Sequence, residues 1–332
     1  MTSAHIVLDG LGGTHIEADA PGAILRFLSL FPDDHITIVT RKDLFEALVR
    51  QLAEKQRSRL NLLEGNERVN FDESPVSALK AKPNSSISLG MAYMKEEVGD
   101  ALLSFGNTGA AVVSAQMSLG LLEGVQRAGL AAILPGTEGV TQLLDVGANV
   151  NARPEHLLQY GLMADTFGTT VLGQERPRVG LLNVGEEENK GNERLKQTHE
   201  LLKTSDLNFV GNVEGSQLFD NSVDAVVCNG LEGNMILKSC ESLAGMMVHT
   251  LRKNLEEKEG FSDENLHTVI DTLEDRVDPS KTGACPLLGV QGNVLIGHGN
   301  SHKTAIFHAL VNARKQVLTG LQSSLGPRLS SI

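Results

Sequence analysis

Residues 179–193 read VGLLNVGEEENKGNE. An aliphatic run stops at a glycine turn holding four carboxylates and one lysine, and RLKQTHELLK (194–203) continues with helical spacing. The unit recurs as HIVLDGLGG (5–13), ALLSFGNTGA (101–110), QLLDVGAN (142–149), NFVGNVEG (208–215), AVVCNGLEGN (225–234) and NVLIGHGNS (293–301). These runs are continuously aliphatic rather than alternating, so they predict strands buried on both faces, as in a parallel sheet covered by helices. Repeated strand, turn and helix predicts a three-layer, doubly wound, mostly parallel α/β fold. Ligands of such sheets bind beyond the carboxyl ends of the strands, where all these turns lie.

Composition narrows the functions. The 332 residues are 41% hydrophobic and 21% charged, as in ordinary globular proteins. Thirty-four glycines beside 4% aromatics and no tryptophan favour backbone-lined sites over base-stacking platforms. A net charge of -12 argues against nucleic-acid binding, which needs phosphate neutralisation. Cys228, Cys240 and Cys285 are far apart and form no CxxC pair, so neither a disulfide framework nor a zinc site is expected. No apolar run approaches the ~18 residues of a membrane span, and a strand pattern begins almost at once. The expected location is cytoplasmic.

The turns are neither GxGxxG nor GxxxxGK[ST], so the standard nucleotide fingerprints are missing. Helix N-termini after such turns favour anions. Gly106, Asn107, Thr108 and Gly109 form the clearest anion candidate, although asparagine or threonine there also serves as a plain helix cap. His298 could polarise a carbonyl or move a proton near neutral pH, or simply bond to a loop carbonyl. Cys240 falls on a helical stripe with Ile236, Leu243, Met247 and Leu251 that reads as core. Nothing near Cys285 in sequence activates it, and a cysteine nucleophile is disfavoured. Residues 41–59 carry six basic and three acidic side chains, a positive face on an acidic protein or a solvated helix surface.

LDGLGG, LLSFGNTGA, LLDVGAN, VGLLNVGEEENKGNE, FVGNVEG, DAVVCNGLEGN and CPLLGVQGNVLIGHGNS stand in the order seen in the bacterial phosphate acyltransferases of phospholipid synthesis, the PlsX family. The chain resembles that family over nearly its whole length. The resemblance implies transfer of a fatty acyl group from acyl carrier protein to inorganic phosphate, giving acyl phosphate without a metal or organic cofactor. It also implies an isopropylmalate dehydrogenase/phosphotransacetylase-like fold, two lobes around a cleft, and a homodimer. The whole of 1–332 is then one catalytic domain, its internal boundary open, with 252–266 as a protruding connection. That connection is net negative, so membrane contact is expected through a protein partner, such as the membrane glycerol-3-phosphate acyltransferase that takes the product.

Phosphate is already a nucleophile, so the protein must hold an anion against a thioester and stabilise the charge that develops. Under this resemblance Lys190, His298 and Asn234 are the candidate catalytic residues. Gly12, Gly13, Gly106, Asn107, Thr108, Gly109, Asn149, Glu187, Asn192, Asn212 and Asn229 are the candidates for phosphate or substrate binding. Lys190 would supply fixed charge for phosphate, with the neighbouring glutamates keeping it ionised. Two departures bear on the roles: Thr14 stands where the family motif ends in aspartate, and Asn229 replaces the aspartate of CDG. His15 or His298 would have to replace any proton-transfer role of those acids. A short-chain phosphotransacetylase using acyl-CoA and a catalytically impaired scaffold stay open as alternatives.

Overall fold

Each of the glycine-ended aliphatic runs is a strand in the computed structural model, which describes residues 3–256 and 264–330. The strands are β1 (His5–Asp9), β2 (His35–Thr40), β3 (Leu60–Glu64), β4 (Ala101–Ser104), β5 (Gly129–Gly136), β6 (Gly139–Leu144), β7 (Val179–Leu182), β8 (Phe209–Val213), β9 (Ala225–Val227), β10 (Ala284–Leu288) and β11 (Asn293–Gly297). The helices are α1 (Ile16–Leu30), α2 (Lys42–Val49), α3 (Glu54–Arg57), α4 (Pro75–Ala81), α5 (Ser86–Lys95), α6 (Thr108–Ser118), α7 (Pro154–Phe167), α8 (Glu193–Thr204), α9 (Gly230–Glu256), α10 (Glu264–Val277), α11 (Pro279–Thr282), α12 (Lys303–Thr319) and α13 (Leu321–Leu329).

All eleven strands join in one sheet, ordered β3-β2-β1-β4-β11-β10-β5-β6-β9-β7-β8. The first five are parallel to one another, and so are the last four. Between the blocks, β11, β10, β5 and β6 pair antiparallel in succession, which reverses the direction of the second block relative to the first. Burial on both faces follows the sequence pattern. Ile6, Leu8 and Leu103 pack with α1 and α12, while Val7, Leu102 and Val294 pack with α5 and α6 on the other side. A third cluster joins β5–β7 and β9 to α7 and α13 through Leu144, Tyr160, Phe167 and Leu325.

Glycine is required where turns and elements touch. Gly191 has φ of 84°, the left-handed region that side chains disfavour, just before α8. A side chain at Gly233 would collide with the Asp145 carbonyl oxygen, so its absence lets the first turn of α9 lie against the loop after β6.

Two expectations change here. The stripe through Cys240 is not core, because Leu243 and Met247 are more than half exposed and Leu251 is exposed. The reason is that Leu243 and Met247 line an open cavity beneath α9 rather than a packed core. The basic stretch is no continuous helical face either: it divides into α2, a turn and α3. Arg59 donates to the carbonyls of Leu28, Phe31 and Asp34 around the end of α1. Arg57 donates to Leu52 O at 2.9 Å, and Arg41 pairs with Glu17 at 3.1 Å. Within 252–266, residues 257–263, with Phe261, lie outside the described residues; Arg252 of α9 binds Glu274 and Asp271 of α10. Among the described residues no helix is long and apolar enough to cross a membrane.

Candidate active site

Helix α9 leaves the end of β9 and packs over β5 and β6, and beneath it lies a cavity of ≈ 370 Å³. Its walls are aliphatic: Leu130, Ala132 and Leu134 of β5, Ala284 of β10, Ile296 of β11, and Leu237 and Ala244 of α9. Leu243 and Met247, also in the lining, are the exposed part of α9's apolar stripe. Polar side chains enter the lining from three strand ends: Thr108 after β4, His298 after β11, and Asn234 in the helix following β9.

Asn234, Lys238 and Glu241 are spaced i, i+4, i+7 and therefore share one face of α9. His298 lies between the two charged members. Its Nε2 is 2.9 Å from Glu241 Oε1 and its Nδ1 is 3.2 Å from Lys238 Nζ, while Lys238 Nζ is 3.8 Å from Glu241 Oε2. A lysine ammonium has donors only, so the Nδ1 facing it is the acceptor in this pairing, which assigns the N–H to the Nε2 that faces Glu241. Arg276, the other cation in the lining, donates to the carbonyls of Gly136 and Thr137. Cys285 also lines the cavity, and burial, then the Glu241 charge, pushes its thiol up to about 12. Burial also raises the Cys240 thiol.

The remaining candidates lie outside this lining. Lys190 is half exposed, and its Nζ is 3.8 Å from Glu187 Oε1. Asn192 caps α8 by accepting from Leu195 N. Asn212 donates to the Glu187 carbonyl at 2.9 Å, and its buried Oδ1 has no hydrogen-bond partner among the described residues. Asn149 donates to Ala128 O and Tyr160 Oη, tying two loops together. Asn229 accepts from Ala152 N at 2.9 Å and donates to Glu232, which in turn pairs with Arg194. An aspartate at 229 would face Glu232 as a like charge, so the asparagine of this chain matches its neighbour.

Gly12, Gly106 and Asn107 adjoin a second, much smaller cavity with Asp9, Ser86 and Ser104. Asn107 caps α6 through Ala110 N, and its amide donates to the carbonyls of Asn70, Phe71 and Glu73. The capping role is therefore filled, and the amide is committed to the 70–73 loop. Gly13 lies against Phe105, and Gly109 against Pro75. Thr14 donates its N–H to Gly299 O at 2.7 Å, and His15 stacks on His302 with ring centroids 4.3 Å apart.

Two buried carboxylates organise the turns. Asp9 accepts from Ser104 Oγ at 2.7 Å, and burial raises its pKa against the hydroxyl and amide bonds that lower it. Asp145 accepts from the N–H groups of Leu130, Gly147, Ala148 and Asn149, and burial raises its pKa too. Lys238 and Glu241 were missed in the sequence because charged residues on a helix read first as a solvated face. The polar i, i+4, i+7 stripe beginning at Asn234 was the available signal.

The fold defined here is that of the phosphotransacetylases. A phosphotransacetylase from Streptococcus pyogenes superposes with a TM-score of 0.64 at 14% identity, covering 95% of this chain and 94% of that one. A branched-chain phosphotransacylase from Enterococcus faecalis V583 gives 0.60 at 11% identity, covering 95% and 99%. The family model described as "Fatty acid synthesis protein" matches residues 4–324. Phosphate acyltransferase of Salinibacter ruber is 36% identical over 318 residues, 95% of this chain and 94% of its own. That of Desulforamulus reducens is 38% identical over 331 residues, 98% and 97% respectively. The chain belongs to the phosphate acyltransferase family.

Proposed function

We propose that the protein transfers a fatty acyl group from the thioester of acyl carrier protein to inorganic phosphate, giving acyl phosphate for phospholipid synthesis. The observation that carries this is the aliphatic cavity ending on Thr108, Asn234 and the Lys238–His298–Glu241 cluster. Its apolar walls suit a hydrocarbon chain, and its polar side suits the reacting carbonyl. Phosphate attacks directly, and no side chain need form an acyl intermediate. Lys190, half exposed at the turn that Asn192 and Asn212 brace, is assigned to phosphate.

The phosphotransacetylase fold also fits the second reading, acyl-CoA as donor, but an acetyl group would leave most of a ≈ 370 Å³ aliphatic cavity unfilled. The carrier docks, in this proposal, through Lys42, Arg50 and Lys55, the basic side chains of 41–59 not engaged among the described residues as Arg41, Arg57 and Arg59 are. A homodimer would cover the exposed Leu231, Met235 and Met246 of α9, and membrane contact would come through the acyltransferase that takes the product. The deciding assay supplies inorganic phosphate with matched acyl groups on acyl carrier protein and on CoA, and traps acyl phosphate with hydroxylamine. Preference for the long-chain carrier thioester is expected. Preference for short-chain acyl-CoA would establish the second reading, and no product from either donor would leave a scaffold.

A further inference from the structure

We infer that Lys238 donates the proton taken up by the departing thiolate, and that Glu241, acting through His298, is the positioning residue that aims it. This rests on the reading of the cavity as the acyl thioester site. The hydrogen-bond geometry separates the roles. His298 faces an ammonium with Nδ1, so that nitrogen carries no proton, and its Nε2–H is engaged by Glu241 at 2.9 Å. The imidazole thus has no free proton to give. Arg276 is held by two backbone carbonyls and, as a guanidinium, does not release a proton. Lys238 remains: its Nζ is bound at 3.2 Å to an acceptor that fixes its direction and only loosely, at 3.8 Å, to Glu241.

The step balances without another reactant. An oxygen of hydrogen phosphate forms the new C–O bond to the acyl carbon, and the C–S bond breaks. The sulfur takes a proton from the Lys238 ammonium, and the proton of the phosphate hydroxyl restores that ammonium. The products are acyl phosphate and free thiol. Glu241 has two parts in this. It orients the ring by accepting from Nε2–H, and it fixes the tautomer that presents Nδ1 to Lys238.

Sensitivity to the leaving group tests the assignment. Wild type, Lys238→Met, Lys238→Arg and Glu241→Gln are assayed for acyl phosphate with the same acyl group on an alkyl thiol (pantetheine) and on thiophenol, which leaves without protonation. Lys238→Met should lose about 10²-fold or more in kcat on the alkyl thioester, the range of general acid catalysis, and far less on the aryl thioester. Lys238→Arg keeps the charge but not a transferable proton and should fail on the alkyl donor as well. Glu241→Gln should lower kcat on the alkyl donor with KM unchanged, and by less than Lys238→Met. More than half of the Lys238 side chain is exposed, so the two Lys238 variants should keep the wild-type Tm. Equal losses on the two donors, or an arginine variant as fast as wild type, would overturn the proton-donor role. A wild type that forms acyl phosphate neither from these donors nor from the same acyl group on acyl carrier protein would instead sink the functional reading beneath it.

Discussion

Cys285 illustrates how environment, rather than residue type, decides chemistry. A thiol pushed up to about 12 is almost wholly protonated at neutral pH, and the thiolate is the nucleophile. Cys285→Ala and Cys240→Ala should therefore keep kcat within about tenfold of wild type, because neither supplies the electrostatic contact whose loss costs more than that. An acyl-cysteine intermediate found by mass spectrometry would contradict direct attack by phosphate. The same shift has a pH consequence. The folded state favours the neutral thiol, so its contribution to stability is complete below the unfolded thiol's pKa and is lost as pH rises towards 12. Wild type should lose stability more steeply than Cys285→Ala over that alkaline range in urea titrations. At the strand ends, Lys190→Met should lower kcat/KM by about 10²-fold if its charge holds phosphate. Asn229→Asp removes a donor to Glu232 and adds a like charge, at a cost of about 1–3 kcal/mol in chemical denaturation. Glu232→Gln in the same chain should recover most of it; no recovery would mean that the pair is not what matches Asn229 to its site.

At the scale of elements, α9 carries most of what the sequence left unread. Its apolar residues have helical spacing whether they face a core, a ligand or another chain, so Cys240, Leu243, Met247 and Leu251 were legible as a stripe but not as a cavity rim. His298 and Glu241 are 57 positions apart, and only the fold brings them to 2.9 Å. The glycine-ended strands were legible because each has its own local pattern and is buried on both faces. Strand β10 was not: Pro286 lies inside it, and proline in a run argues against a central strand. Its pairing with β5 and β11 depends on contacts distant in sequence. Leu231, Met235 and Met246 project from α9 on a face separate from the cavity lining. Met235→Glu with Met246→Glu should shift the protein to a monomer in sedimentation velocity if that face is covered in a dimer. An unchanged sedimentation coefficient would place the contact elsewhere.

For the whole molecule, the class of fold was readable from repeated strand, turn and helix, whereas the reversal of direction between the two blocks was not. That reversal arises at the antiparallel β11, β10, β5 and β6, and β5, β10 and β11 also form the cavity floor beneath α9. Long-range charge acts at this scale too. An acidic carrier steered by Lys42, Arg50 and Lys55 should show an apparent KM that rises with salt over a range set by a Debye length of about 10 Å at 0.1 M. Reversing two of these charges should flatten that dependence, and an unchanged profile would move the docking face. The central claim is that the acyl chain lies between α9 and the sheet. Ala244 lines that space from the helix, so Ala244→Phe narrows it without replacing any member of the polar cluster. The most direct measurement is the acyl-phosphate rate of this variant across carrier thioesters of increasing chain length. Short chains should react nearly as in wild type while long chains lose most of their rate; a uniform loss across all lengths, or none, would contradict the account.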